Sequence, residues 1–167
     1  MNFEQAQIDI LLWITGFVER PHPQLNGWAP CPFARKARID SEFAIRKGIK
    51  DPLTDLRNID AIEPFTVVAY VYDPKEIDAQ DFVKQIHELN RDYLTKHDLI
   101  ALADHPNEPE IINGVSMNQG TWAICFVQPL NKLNQHAKMV AAKDYYKDWP
   151  ENYLKGLFEF REDPRLT

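Results

Sequence analysis

An α+β fold, a ferredoxin-like sandwich with a mainly antiparallel sheet, helices on one face and an added N-terminal helix, is what three observations on this sequence predict. β-Branched and aromatic residues run almost unbroken from Phe65 to Tyr72. An amphipathic segment follows from about Ala79 to Lys96, apolar at Phe82, Ile86, Leu89 and Tyr93. Two further apolar stretches, Leu99 to Ala103 and Thr121 to Val127, precede helical spacing at Leu133, Ala137, Val140 and Ala141. Strand, helix, strand, strand, helix is the order of a split β-α-β unit, in which the later strand slots between two parallel ones.

Each element has a local reason. Phe3, Ala6, Ile10, Trp13, Ile14 and Phe17 carry the spacing of an amphipathic helix over residues 3–19, with Asn2 as N-cap and Arg20-Pro21 as its stop. A loop rich in Pro, Asn and Gly runs from Pro21 to Pro30, and Pro32 opens a short basic helix to about Arg38. Weak alternation over 39–46, with Phe43 and Ile45 on one side, predicts an edge strand. Asp51 to Leu56 forms a helical turn inside the polar stretch 47–64. Asp73-Pro74 stops the clearest strand, and Asp78 caps the clearest helix. The near-continuous apolarity of 121–127 implies that both faces of that strand are covered. Pro129 leads into the last periodic helix. The aromatic tail from Tyr145 to Phe160 either closes over the sheet, the simpler account, or meets a second copy of the chain, with a homodimer as the alternative partner state.

Composition bounds the function. A chain of 167 residues with 44% hydrophobic and 26% charged residues is one globular domain, 1–167, with a core of its own. A net charge of −6 disfavours nucleic acid and anionic membranes as partners, and no apolar run is long enough to span a bilayer. Only two cysteines occur, far apart in sequence, and the N-terminus lacks the basic start of a signal peptide, so a cytoplasmic setting is expected.

The most informative segment is Trp28-Ala29-Pro30-Cys31-Pro32-Phe33-Ala34-Arg35-Lys36. A cysteine at the start of a basic helix faces unpaired backbone N–H groups, and Arg35, Lys36 and Arg38 follow within two turns, so a lowered thiol pKa and a reactive Cys31 are expected. His105, in the long loop from Asp104 to Gly120, is the candidate proton acceptor for that thiol. Candidate binding residues flank the cysteine: His22, Asn26 and Trp28 before it, Arg35, Lys36 and Arg38 after it, the cations suited to a small anionic ligand. Against this, free cysteines are frequently small buried hydrophobes, and the loop at 104–120 reads equally as a mobile surface excursion. His22, Cys31, His105, Glu108 and Glu110 are ligand types that zinc accepts, but no close pair occurs, so no metal site and no cofactor is expected. His87, His97 and His136 read as surface residues, and Cys125 as core.

The N-terminal helix followed by Leu25-Asn26-Gly27-Trp28-Ala29-Pro30-Cys31-Pro32-Phe33-Ala34 resembles the opening of a small uncharacterised bacterial domain family. That family begins with a helix and a Gly-Leu-Asn-Leu-Cys-Pro-Phe-Ala-type motif. The match is carried by Cys31-Pro32-Phe33-Ala34, while Gly27 here follows Asn26 rather than preceding it. A His-Pro step in the family's later half has His105-Pro106 as its counterpart. The resemblance implies that the Cys31 segment matters and brings no activity with it.

Two function classes follow, with metal-dependent catalysis through Cys31 and His22 or His105 ranked behind them. One is a thiol-dependent enzyme or binding protein using Cys31 beside an anion-binding helix. The other is a noncatalytic ligand-binding or oligomeric accessory domain in which Cys31 is structural.

Overall fold

The computed structural model describes residues 1–166. Asn2 caps the first helix by accepting from the Gln5 N–H at 3.1 Å, and the helix α1 runs over Phe3–Trp13. The expected helix does not continue unchanged to residue 19: its last turn widens into a π-turn at Ile14–Val18. A short 3-10 turn at Pro23–Leu25 and the helix α2 at Ala34–Ile39 follow. Then come the strand β1 at Phe43–Lys47 and the helix α3 at Pro52–Leu56, capped by Asp51 through the Thr54 N–H at 2.7 Å. The strand β2 occupies Val67–Tyr72, and the helix α4 Ala79–Asp92, with Asp78 accepting from the N–H groups of Gln80 and Asp81.

The strand β3 at Leu99–Asp104 leads into the two-residue strands β4, Ile111–Ile112, and β5, Val115–Ser116. Asn113 and Gly114 turn between them with φ of 50° and 81°, the left-handed pair that closes a tight hairpin. The strand β6 at Ala123–Pro129, the helix α5 at Leu130–Ala141 and the helix α6 at Glu151–Leu157 complete the order.

The main sheet has the order β1-β2-β6-β3. β6 lies antiparallel between β2 and β3, which therefore run parallel to each other, so the split unit is formed. The sheet as a whole is mixed rather than mainly antiparallel, because β1 pairs with β2 in parallel, Phe43 opposite Val67. A second departure concerns the helices, which do not share one face. α3 and α4 cover the face carrying Val68, Tyr70, Ala101, Cys125 and Val127. α1 and its π-turn cover the opposite face, over Ile45, Ala69, Val71 and Ile124. Leu133 and His136 of α5 also approach that second face, beside Leu102 and Phe126. β3 puts Ile100 and Leu102 on this side, and a strand apolar on both sides needs cover on both.

A third apolar cluster forms beyond the sheet. Tyr145, Tyr146, Trp149, Leu154 and Phe158 pack on Ala137 and Val140 of α5, on Leu25 and on Ile112 of the hairpin. The aromatic tail thus closes over the chain's own elements.

Candidate functional site

The strand residues Phe43, Val67, Leu102 and Phe126 point toward the face under α1 and α5, yet each is only partly buried. The cause is a cavity of about 300 Å³. Its floor is formed by these four side chains. Trp13, Ile14 and Val18 wall it from the end of α1 and the π-turn; Cys31, Phe33, Ala34 and Ala37 from α2 and the segment before it; Leu133 and His136 from α5. The π-turn matters here, since an inserted residue changes which side chains a helix end presents, and such insertions are frequent at functional sites. Lys36, Arg38, Glu42, Thr66, Gln128 and Lys132 supply the polar part of the lining.

Of the residues expected from sequence to form a site, Cys31, Lys36 and Arg38 meet at this cavity. Cys31 belongs structurally to the junction of two apolar clusters. Its own side chain packs with α1 and β2, while its neighbours Trp28 and Phe33 pack with the aromatic tail. The segment is fastened by Cys31 N–H donating to Val18 O at 3.2 Å and by the Tyr145 hydroxyl donating to Pro30 O at 2.5 Å. Burial pushes the Cys31 thiol up from its ordinary value. The N–H groups of Phe33 and Ala34 and the more distant Arg161 oppose that shift without reversing it. The expected lowering is therefore corrected: the sulfur is desolvated, and the cation felt there comes from the C-terminal tail rather than from α2.

The helix cations have their own partners. Arg38 grips Glu19 with two bonds, Nε to Oε1 at 2.6 Å and Nη2 to Oε2 at 2.9 Å. The Glu19 side chain is 6% exposed, and this pairing holds its carboxyl below the usual range. Arg38 therefore ties α2 to the end of the π-turn. Lys36 pairs with Asp40 one turn on, in solvent. Arg35 is exposed.

The remaining expected residues lie outside the cavity wall. His105 is 1% exposed, its Nε2 at 3.1 Å from Ile77 O and its Nδ1 accepting from the Asn107 N–H at 3.1 Å. Its ring packs on Phe82, which belongs to the α4 face of the sheet, so the sheet separates it from Cys31. The expected Cys31–His105 pair is not formed. His22 packs on Phe17 with ring centroids 4.8 Å apart. Asn26, at φ 55°, ends the 3-10 turn and donates to Lys147 O at 3.0 Å. Trp28 meets Tyr145 edge-on at 5.6 Å.

The loop at 104–120 is anchored rather than loose. Asp104 accepts from Asn118 Nδ2 and the Gln119 N–H, both at 2.9 Å. Burial raises the Asp104 carboxyl, and burial together with Asp104 and Glu108 pushes Glu110 up to about 7. Among the described residues no group of three His, Cys, Asp or Glu side chains is arranged to hold a metal ion, and no helix is long and apolar enough to cross a membrane.

Sequence reasoning missed Phe43, Phe126, Gln128, Lys132 and Leu133 as site residues, and it placed His136 on the surface. His136 is half-buried and stacks on Phe33, ring centroids 3.9 Å apart; burial, then Lys132, lowers its pKa. The available signal was the Lys132, Leu133, His136 spacing, which puts three different chemistries on one face of α5. No protein-family model matches the chain, and neither a curated protein nor a solved structure matches it.

Proposed function

We propose that this chain is a noncatalytic binding protein for a small, mainly apolar ligand held between the second face of the sheet, the π-turn, α2 and α5. The observation that carries the reading is the cavity of about 300 Å³, walled by Trp13, Phe33, Phe43, Phe126 and Leu133. Binding sites for small molecules are concave, largely apolar and supplied with a few polar groups, and roughly 300–1,000 Å³ is their usual size. Leaving such a space in a close-packed interior is destabilising, which is the ordinary signature of a site kept open for an occupant.

A second reading uses the same cavity. Cys31 stands in its wall with the N–H groups of Phe33 and Ala34 turned toward the sulfur, which supports attack on a held ligand. That chemistry needs the thiolate, and burial works against it. The likeness of Cys31-Pro32-Phe33-Ala34 to a bacterial domain family and a cytoplasmic setting belong to the same proposal, whereas the homodimer loses its support because the aromatic tail packs on Leu25, Ile112 and α5 of its own chain.

Calorimetric titration with 1-octanol, a neutral apolar probe, tests the binding reading on the wild type and on Val67→Phe, which fills the floor. Saturable binding to the wild type, weakened at least about tenfold in Val67→Phe, supports it. Equal heats from both proteins overturn it.

A further inference from the structure

The polar groups at the cavity say more about the ligand than its apolar walls do. The rim carries three cations, Lys36, Arg38 and Lys132, against one carboxylate, Glu42. In a chain of net charge −6 this local excess is of opposite sign to the molecule as a whole. The three cations are not equally available. Arg38 is held by the two bonds to the nearly buried Glu19. Lys36 pairs with Asp40, but in open solvent. Lys132 approaches Glu42 only to 3.7 Å, with side chains 44% and 37% exposed, and a long, solvated ion pair of this kind is weak and readily exchanged.

Lys132 and Glu42 both line the cavity and both reach solvent, so they stand at its mouth. Beside them are two polar side chains, His136 and Gln128, with no hydrogen-bond partner among the described residues. His136 lies one helical turn from Lys132, on the same face of α5.

We infer that the ligand is a compact apolar carboxylic acid whose hydrocarbon body fills the cavity and whose carboxylate replaces Glu42 as the partner of Lys132, with His136 and Gln128 completing its hydrogen bonds. This rests on the binding reading above and names the class of molecule bound. The volume holds on the order of ten heavy atoms, at ~30 Å³ for each water-sized group. A carboxylate entering at Lys132 gains a charge-assisted bond at a partly desolvated mouth, where it is stronger than in water. A neutral molecule of the same shape gains only the burial of its body.

The test is a calorimetric comparison of octanoate with 1-octanol at neutral pH, on the wild type and on Lys132→Met. The substitution keeps an unbranched stem of similar reach at an exposed position. The proposal expects the wild type to bind octanoate about tenfold more tightly than octanol. It expects that preference to fall to near unity in Lys132→Met, chiefly through weaker octanoate binding. Octanol bound as tightly as octanoate, or a preference that survives in Lys132→Met, overturns the acid assignment while leaving the binding reading in place. Absence of binding by both probes overturns both readings.

Discussion

Phe33 and His136 stack nearly face to face, with ring centroids 3.9 Å apart and planes 14° from parallel, and this contact joins the segment after Cys31 to α5 along the wall of the cavity. It makes Phe33 a member of the aromatic cluster and of the cavity wall at once. Phe33→Ala should cost about 2 kcal/mol of stability, less than the loss for a fully buried Phe because Phe33 is half-buried. The same change admits water to His136, so its titration midpoint should rise toward the ordinary ~6.5. Urea unfolding checks the first outcome, and the imidazole proton resonances followed against pH check the second.

Cys31 should behave as a desolvated thiol. Burial keeps its proton on well above neutral pH, so a charged disulfide reagent should modify the native protein slowly at pH 7, with a rate that climbs only in alkali. Cys31→Ala should keep the fold and octanol affinity within about threefold, as expected for a small hydrophobe in a wall. Rapid modification below pH 7, absent in Cys31→Ser, would favour the nucleophile reading.

Glu110 should make stability fall as the solution is made less acidic. Glu110 holds its proton up to about 7 in the folded chain, against 4.5 for an unperturbed glutamate. Between those values the folded state binds more protons than the unfolded one, so stability falls as pH rises through that window and levels off above it. The loss from this group is on the order of 3 kcal/mol. Asp104, also raised by burial, acts in the same direction. Urea midpoints at pH 5 and pH 8 should differ for the wild type and differ less for Glu110→Gln.

His105 should matter for folding rather than for the cavity. Its ring is buried and bonded through both nitrogens, between Ile77 O and the Asn107 N–H. His105→Ala leaves both partners unsatisfied beside Phe82, at a cost of about 3 kcal/mol. Octanol affinity measured well below the unfolding midpoint should be unchanged, since the sheet stands between this residue and the site.

Much of the fold is legible in the sequence because local signals there agree with tertiary demands. Asn2 and Asp78 cap the helices they are expected to cap, and β2, β6 and α4 lie where β-branched runs and helical spacing put them. The parallel attachment of β1 was not legible, because a short strand with weak alternation states nothing about its direction. The hairpin was available in Asn113-Gly114 flanked by Ile112 and Val115, although two-residue strands fall below the length that periodicity detects. For the site, the Cys31 segment, Lys36 and Arg38 were found from residue chemistry. The rest was hidden for a physical reason. Phe43, Val67, Leu102 and Phe126 look like core residues, and whether a core residue touches a neighbour or an empty volume is decided by how far α1 and α5 stand apart over the sheet.

The most direct measurement is a methyl-resolved NMR titration of the intact chain with 1-octanol. The account predicts saturable shifts concentrated on the methyl groups of Ile14, Val18, Val67, Leu102 and Leu133, all of which line the cavity. Shifts confined to the exposed Ile8, Leu11 and Leu12 of α1, or no saturable shifts, would contradict it.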